Sequence, residues 1–313
     1  MKSKLLSTTF LAITACLLWS TAFVGVKLGL KYTSPLQFAG FRFMLAGLYI
    51  LPFCGNLMNS LKQIRKNWKQ VVRLSFFQTF LLYTLFYLGI NMVPASLTAI
   101  IIGAGPLFSA VLAHMLLNDD RLQIRTVGAI LLGIVGVVII AASRENFSWA
   151  EGKEFWGILI LVAANLSGSI GNVVVVKYRD GLSPILLNSS QLMLGGIGLF
   201  ILSIPFEGLT FSINELPYYI SLGWLSLMSA AAFSIWFVLL RRPGIKVSIL
   251  NVWKFLIPVF GAMLAWIILP DDKPEFIAVA GMVFIALSLI VLNANRFRKK
   301  HTIAEQIPPY HNK

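Results

Sequence analysis

Ten apolar runs divide this chain, and each is about as long as a lipid bilayer is thick. They are Leu5–Leu30, Pro35–Cys54, Val71–Gly89, Pro94–Leu117, Ile124–Ala142, Phe155–Val176, Pro184–Phe206, Leu216–Leu240, Val247–Leu269 and Phe276–Asn293. A helix needs about 20 apolar residues to cross a ~30 Å hydrocarbon core, and inside that core it satisfies its own backbone hydrogen bonds. The runs therefore predict an all-α integral membrane protein with ten transmembrane helices. Composition bears on what else the chain can be: 58% of its 313 residues are hydrophobic and 12% are charged, against roughly 45–50% and roughly 25% in soluble chains. A soluble fold cannot hide that much apolar surface, which excludes a soluble enzyme, a disordered chain and a soluble nucleic-acid-binding domain. Cys16 and Cys54 both lie in apolar runs, so neither a disulfide framework nor a thiolate metal site is expected.

Proline marks where the spans start and where they bend. Pro35, Pro94 and Pro184 stand at helix starts, where the missing N–H costs nothing. Pro106 and Pro258 lie inside spans and are expected to kink or break them. The first run follows Lys2 and Lys4 like a secretory signal, but it exceeds the ~7–15 residues of such an apolar region and lacks a small-residue cleavage site, so it should stay as the first helix. The longest connection, Gly55–Gln70, is read as a loop.

The net charge of +14 is a topology signal. With both termini on one face, that face collects nineteen Lys and Arg, and the other carries only Lys31, Arg144, Lys153 and Lys273. Lys27, Arg42 and Lys254 fall inside spans. The positive-inside rule then puts both termini in the cytoplasm of a cell (plasma or inner) membrane. No aromatic-interleaved basic motif accompanies the charge, so nucleic acid is not an expected partner.

The chain also repeats itself. Ser34-Pro35 with Met44, Leu45 and Gly47 recurs as Ser183-Pro184 with Met193, Leu194 and Gly196, offset by 149. Ser96, Pro106, Asp119 and Asp120 recur as Ser248, Pro258, Asp271 and Asp272, offset by 152. Five spans map onto five. Because five is odd, the halves enter the membrane from opposite faces, which is the inverted-repeat architecture of secondary transporters. The expected units are residues 5–142 and 155–293, followed by a polar cytoplasmic tail at 294–313.

Leu18-Trp19-Ser20-Thr21-Ala22-Phe23-Val24 followed by Lys27 resembles the opening of an EamA-type domain. Arg42-Phe43 is similar to the Arg-Phe that recurs in the family's second helix, and Gly105-Pro106-Leu107, Asp120-Arg121-Leu122 and Gly128 resemble the end of the domain. The second copy departs more, with Asn165 and Ser167 in place of an aromatic-Gly opening and Gln191 where the first half has Arg42. The two copies cover nearly the whole chain. The resemblance implies the drug/metabolite transporter superfamily and, with it, efflux of small metabolites or amino acids.

Candidate substrate-contacting residues follow from the cost of burying charge, about 2.5–3.5 kcal/mol each at a helix centre. Lys254 lies near midplane, with Asn251 one turn before it and Pro258 one turn after, on one helical face. Pro258 should free the carbonyl of Lys254. A cation, an amide and a free carbonyl would then converge, unless the lysine is a structural clamp between the halves. Trp19 and Ser20 face the repeat seam by family analogy. Asn165 and Asn172 serve either as interhelical hydrogen-bonding glue or as cavity lining. Arg42 is a deeper candidate than Lys27, which can snorkel. His114, Tyr83 and Trp236 are read as packing or interface residues, and Gly25/Gly29 and Ala129/Gly133 as close-packing faces.

All twelve acidic residues fall in loops or tails, which disfavours a carrier of lipophilic cations and favours a substrate bearing a carboxylate or phosphate. No HExxH, GxSxG or Walker A pattern is present, so no enzyme activity, cofactor or metal is expected. The reading is a secondary transporter, exporting an amino acid or other carboxylate-bearing solute by alternating access. Alternatives are an exchanger of phosphorylated metabolites and a non-transporting membrane interaction or sensor protein. Expected partners are the small-molecule substrate and the lipid bilayer, with a homodimer left open.

Overall fold

Helix is the regular structure throughout the described residues, 2–93, 98, 101–142, 153–178, 181–209, 215–268 and 276–305, of the computed structural model. Seven stretches are long and apolar enough to cross a membrane: Thr8–Val26, Pro35–Cys54, Trp68–Ile90, Lys153–Lys177, Pro184–Glu207, Leu216–Arg241 and Val247–Leu264. Three shorter apolar helices, Ile101–Leu116, Ile124–Ile139 and Phe276–Val291, occupy the remaining runs. The ten runs are thus helices of an all-α membrane protein. Of the repeat residues, Ser96, Asp271 and Asp272 lie outside the described set, as do Pro94 and the last residues of the tail.

The spans are less regular than their hydropathy. The first divides into α1 (Lys2–Ser20) and α2 (Ala22–Gly29). No proline is involved: the Thr21 hydroxyl donates to the Leu18 carbonyl at 2.7 Å and its N–H to the same oxygen at 3.2 Å, so a side chain competes with the helical ladder and tightens the turn. The second span is α3 (Pro35–Ile50) plus a 3-10 turn, Leu51–Cys54. The connection expected to be a loop instead contains α4 (Leu57–Lys66), capped by the Asn56 side chain, which accepts from the N–H groups of Met58 and Asn59 at 3.0 and 3.3 Å. The third span runs through α5 (Trp68–Leu74), a π-helical stretch at Ser75–Leu81, and α6 (Leu82–Ile90).

The fourth span turns at Ala104 and continues as α7 (Gly105–Leu116), with Pro106 in its first turn. Then follow α8 (Ile124–Ala142), α9 (Lys153–Lys177), α10 (Pro184–Glu207) and α11 (Leu216–Arg241). The ninth span is broken into α12 (Val247–Val252), a 3-10 segment Trp253–Phe255, and α13 (Leu256–Ile268). Pro106 and Pro258 thus both sit just beyond a break, as expected of a residue that cannot donate to the ladder, whereas Pro205 is accommodated near the end of α10 without one. The last helix, α14 (Phe276–Glu305), runs past the apolar stretch into what the sequence suggested was tail.

Helix contacts exchange when the two halves are exchanged. α3 lies along its repeat partner α10, and α8 along its partner α14. α1 packs on α11 and α13, and the exchanged contacts, α9 on α6 and α9 on α7, are both present. At the α3–α10 crossing a Cβ on Gly47 would stand 2.2 Å from Met193, and one on Gly196 would stand 2.7 Å from the Met44 backbone nitrogen. These are the repeated residues found in the sequence, each glycine admitting the other half's helix. Five spans per half and pairwise exchange make the halves inverted repeats.

Candidate substrate site at the break in the ninth span

Lys254 sits in the 3-10 segment, eight residues into the eighteen-residue span Val247–Leu264. Its ammonium lies 4.8 Å from the centroid of the Trp236 ring and 5.6 Å from that of Trp19. The two indoles meet edge-on at 5.2 Å, and Phe233 packs against Trp19 at 5.3 Å. Cation–π contacts of this kind stabilise a lysine where water is excluded, by ~2 kcal/mol each at most sites of that type. Among the described residues no carboxylate pairs with Lys254.

Helix α1 is fastened to the same break. The Cys16 thiol donates to the Trp253 carbonyl at 3.2 Å, and the Ser20 hydroxyl to the Ile257 carbonyl at 3.2 Å and to its own Cys16 carbonyl at 2.7 Å. The carbonyl of Lys254, expected to be free, shares the Leu256 N–H with that of Trp253; the carbonyls that accept α1 side chains are those on either side of it. Asn251, fully buried, accepts from the Asn172 amide at 3.1 Å and donates to the Val247 carbonyl at 3.0 Å. Two buried polar atoms flank this arrangement without a hydrogen-bond partner among the described residues: the Trp236 indole N–H and Asn172 Oδ1. Unused hydrogen-bonding capacity in a buried site calls for an explanation, and a ligand or water that binds there is one.

Asn165 is in the other half of the same construction. Its amide donates to the Ile101 carbonyl at 2.5 Å, beside the turn at Ala104. Asn165 follows Cys16 by 149 residues, and Trp253 follows Ile101 by 152, the two repeat offsets. One repeat position on the first and sixth spans therefore ties down one repeat position on the ninth and fourth. Ser169, the counterpart of Ser20, meets the Ser109 hydroxyl at 2.9 Å. The structure brings Lys254, Asn251, Trp19 and Ser20 together at one break and puts Asn165 at the other.

Arg42 is buried on α3, donating from Nε to the Ser229 hydroxyl at 3.0 Å and stacking 4.9 Å from the Phe43 centroid. Ser229, Phe233 and Trp236 share a face of α11, so Arg42 and the Lys254 cage are about 10 Å apart along that helix at 1.5 Å per residue. Phe233 lies in the interval, and at the Arg42 end Tyr83 packs tilted against Phe43, ring centroids 4.5 Å apart. The repeat counterpart of Arg42, Gln191, accepts from the Thr79 hydroxyl at 2.5 Å and donates to Asn188 Oδ1 at 3.0 Å. The side chain of Lys27 is outside the described set. His114 is exposed and accepts the Leu122 N–H on Nδ1 at 3.3 Å, an end-of-helix contact.

Sequence reasoning missed Trp236, because an aromatic in a span reads as packing, and Cys16, because a thiol reads as a small hydrophobe. Two carboxylates assigned to loops also have definite work. Glu207 receives the N–H groups of Leu36 and Gln37 at 2.9 and 3.0 Å, capping α3 from the other half. Asp120 is buried and receives the Ser248 N–H at 3.0 Å and its hydroxyl, capping α12 across the seam. Negative charge is favourable at a helix N-terminus, and both caps join the two halves.

Relatives match most of this chain in sequence. The chain is 24% identical over 284 residues to the uncharacterized transporter YvbV of Bacillus subtilis, covering 91% of this chain and 90% of that one. A chloroplastic WAT1-related protein of Arabidopsis thaliana is 29% identical over 87% of this chain and 66% of its own. A protein named S-adenosylmethionine/S-adenosylhomocysteine transporter, from Chlamydia muridarum, is 23% identical with 95% of each chain covered. A crystal structure superimposes with a TM-score of 0.80 at 18% identity, over 93% of this chain and 98% of the other, and so shares the fold. The profile of the EamA-like transporter family matches twice, at residues 6–142 and 155–294, and the chain belongs to that family.

Proposed function

We propose that this membrane transporter carries a small solute bearing a carboxylate out of the cell by alternating access, with Lys254 as the anion-binding group. The observation that carries this reading is the lysine itself: a cation at the middle of a broken span, held by two indole faces, with no carboxylate partner among the described residues. A ring quadrupole attracts a cation far less strongly than a desolvated carboxylate does, so an anionic substrate is the better partner. The second half of a zwitterionic or heteroaromatic solute would meet Trp19, Trp236 and the Asn172–Asn251 pair. The Chlamydia relative is named for two solutes that each combine an amino-acid carboxylate with an adenine ring, and the cage suits that combination. Residues 5–142 and 155–293 act as the two rocking units, with both termini in the cytoplasm.

A second reading, exchange of phosphorylated metabolites, is supported by Arg42 about 10 Å along the same aromatic-lined face. Dependence of uptake on a counter-substrate inside the vesicle separates exchange from export.

The test is Lys254→Met, which roughly preserves length and removes charge. The parent, reconstituted in liposomes, should move a solute identified by comparing metabolites of overexpressing and deleted cells. The variant should reach the membrane at near-parental abundance and lose at least tenfold in flux. A well-expressed variant with unchanged flux shifts the anion site to Arg42. Loss of abundance with normal flux per molecule identifies a structural clamp.

A further inference from the structure

At the Lys/Arg-rich face, away from the ninth span, a groove of about 520 Å³ opens between the start of α5 and the end of α9. Lys66, Lys69 and Lys177 line it together with Trp68 and Tyr178. The three lysines are exposed, and none is paired with a carboxylate among the described residues. The floor, by contrast, is fixed. Gln70 donates to the Tyr178 carbonyl at 3.2 Å, Arg73 to the Tyr178 hydroxyl at 2.5 Å, and Arg241 to the carbonyls of Tyr178 and Leu182. Gly181 closes the floor, since a Cβ there would stand 2.3 Å from Gln70 Oε1. From this groove an apolar strip descends along the third span: Trp68, Val72 and Phe76 are 55%, 43% and 43% exposed, and their spacing of four puts them on one face. The ammonium of Lys69 lies 5.9 Å from the Trp68 ring, at the join between the charged and apolar parts.

We propose that this groove binds the phosphate headgroup of an anionic phospholipid, with an acyl chain lying along Trp68, Val72 and Phe76. The two parts together select a lipid over a soluble phosphate. Three clustered ammonium groups match a headgroup's charge, a tryptophan marks the membrane interface, and the strip begins where a glycerol backbone would end. Basic pockets between transmembrane helices on the cytoplasmic side are the kind of site that holds such headgroups. Binding there would clasp the third span of one half to the sixth span of the other.

The full chain in nanodiscs, with phosphatidylglycerol titrated against phosphatidylcholine, tests this by native mass spectrometry of retained lipid and by the melting temperature. The parent should retain phosphatidylglycerol selectively and melt higher with it. Each lysine is worth about fivefold in affinity for an anionic surface, so Lys66→Gln/Lys69→Gln/Lys177→Gln should lose on the order of a hundredfold. Arg296→Gln/Arg298→Gln/Lys299→Gln, which removes equal charge from residues that do not line the groove, should lose clearly less. Should the triple variant fold poorly, Lys177→Gln alone, on a different helix, should cost about fivefold. Equal losses in the two triple variants would show only a general charge effect and overturn the site. Displacement of the lipid by millimolar inorganic phosphate would overturn the lipid assignment in favour of a soluble anion.

Discussion

The repeat supplies an uncharged version of each buried cation's position. Gln191 stands where Arg42 does and Ile102 where Lys254 does, at offsets of 149 and 152. Thr79, the partner of Gln191, and Ser229, the partner of Arg42, stand on the third and eighth spans 150 residues apart, between those two offsets. Gln191 accepts from its hydroxyl where Arg42 donates to its own, but an amide can also donate, so a glutamine can hold a cross-helix hydroxyl without charge, which gives a sharp expectation. By thermal melting, Arg42→Gln should keep its unfolding free energy to within about 1 kcal/mol of the parent's, the usual net worth of one hydrogen bond, while Arg42→Leu should lose about 1–3 kcal/mol by orphaning a buried hydroxyl. Similar losses in both would mean that the guanidinium is itself structural. Asp120→Ala removes the cap on α12 and should cost about 0.5–2 kcal/mol, read from the same melting curves. Lys254 and Asn251 were legible in the sequence because a charge or amide in an apolar run has few harmless explanations. Asn172 was legible as interhelical glue, though not its partner Asn251; Trp236 and Cys16 were not, since their roles depend on which helix lies opposite, and that is decided by tertiary contact.

At the scale of elements, breaks were legible where proline makes them and hidden where a side chain does. Pro106 and Pro258 announced the bends of the fourth and ninth spans, whereas the turn at Thr21 depends on a hydroxyl choosing a backbone oxygen, which an apolar run does not reveal. The helix α4 was hidden for a different reason: its amphipathic ten residues are too polar to read as a span. Yet Leu57, Met58 and Leu61 are 61%, 63% and 52% exposed beside Lys62, Arg65 and Lys66, the pattern of a helix lying in the membrane interface. The small-residue face Ala129/Gly133, by contrast, was legible and has a definite neighbour. A Cβ on Gly133 would stand 2.3 Å from the Phe255 ring, and Phe255 belongs to the 3-10 segment that carries Lys254. Gly133→Leu should therefore lower abundance and, in surviving protein, disturb the substrate site, whereas Lys62→Ala on the exposed face of α4 should do neither. Parental abundance of Gly133→Leu, measured by immunoblot of membranes, would mean that α8 sits farther from the break than the structure has it.

Over the whole molecule, the repeat sets the frame and charge orients it. Two halves that exchange their contacts have no built-in outside, because each presents the other's face once inverted. Orientation must then come from what the repeat leaves asymmetric, and that is the distribution of lysine and arginine, nineteen against four in the connections and termini. The same asymmetry is visible in three dimensions. The groove with Lys66, Lys69 and Lys177 is on one face, while the opposite face carries Tyr32, whose hydroxyl donates to Glu215 at 3.4 Å, and the Glu207 cap on α3. The positive-inside rule counts such short-loop charges, and on it the basic face is expected in the cytoplasm. Cysteine labelling decides it in a Cys54→Ser background, since Cys16 is already buried. Lys62→Cys is the suitable inner probe because Lys62 is exposed, while neighbouring Ser60 is only 3% exposed and donates to the Cys54 carbonyl. Lys31→Cys is the outer probe, exposed just after α2. An impermeant maleimide added to intact cells should label Lys31→Cys and leave Lys62→Cys unlabelled until the membrane is permeabilised. The reverse pattern would put the basic groove outside and remove the cytoplasmic leaflet as the source of its lipid. Labelling of both from outside would mean that charge bias fails to fix one orientation, so that the chain inserts both ways, as a nearly exchangeable pair of halves permits.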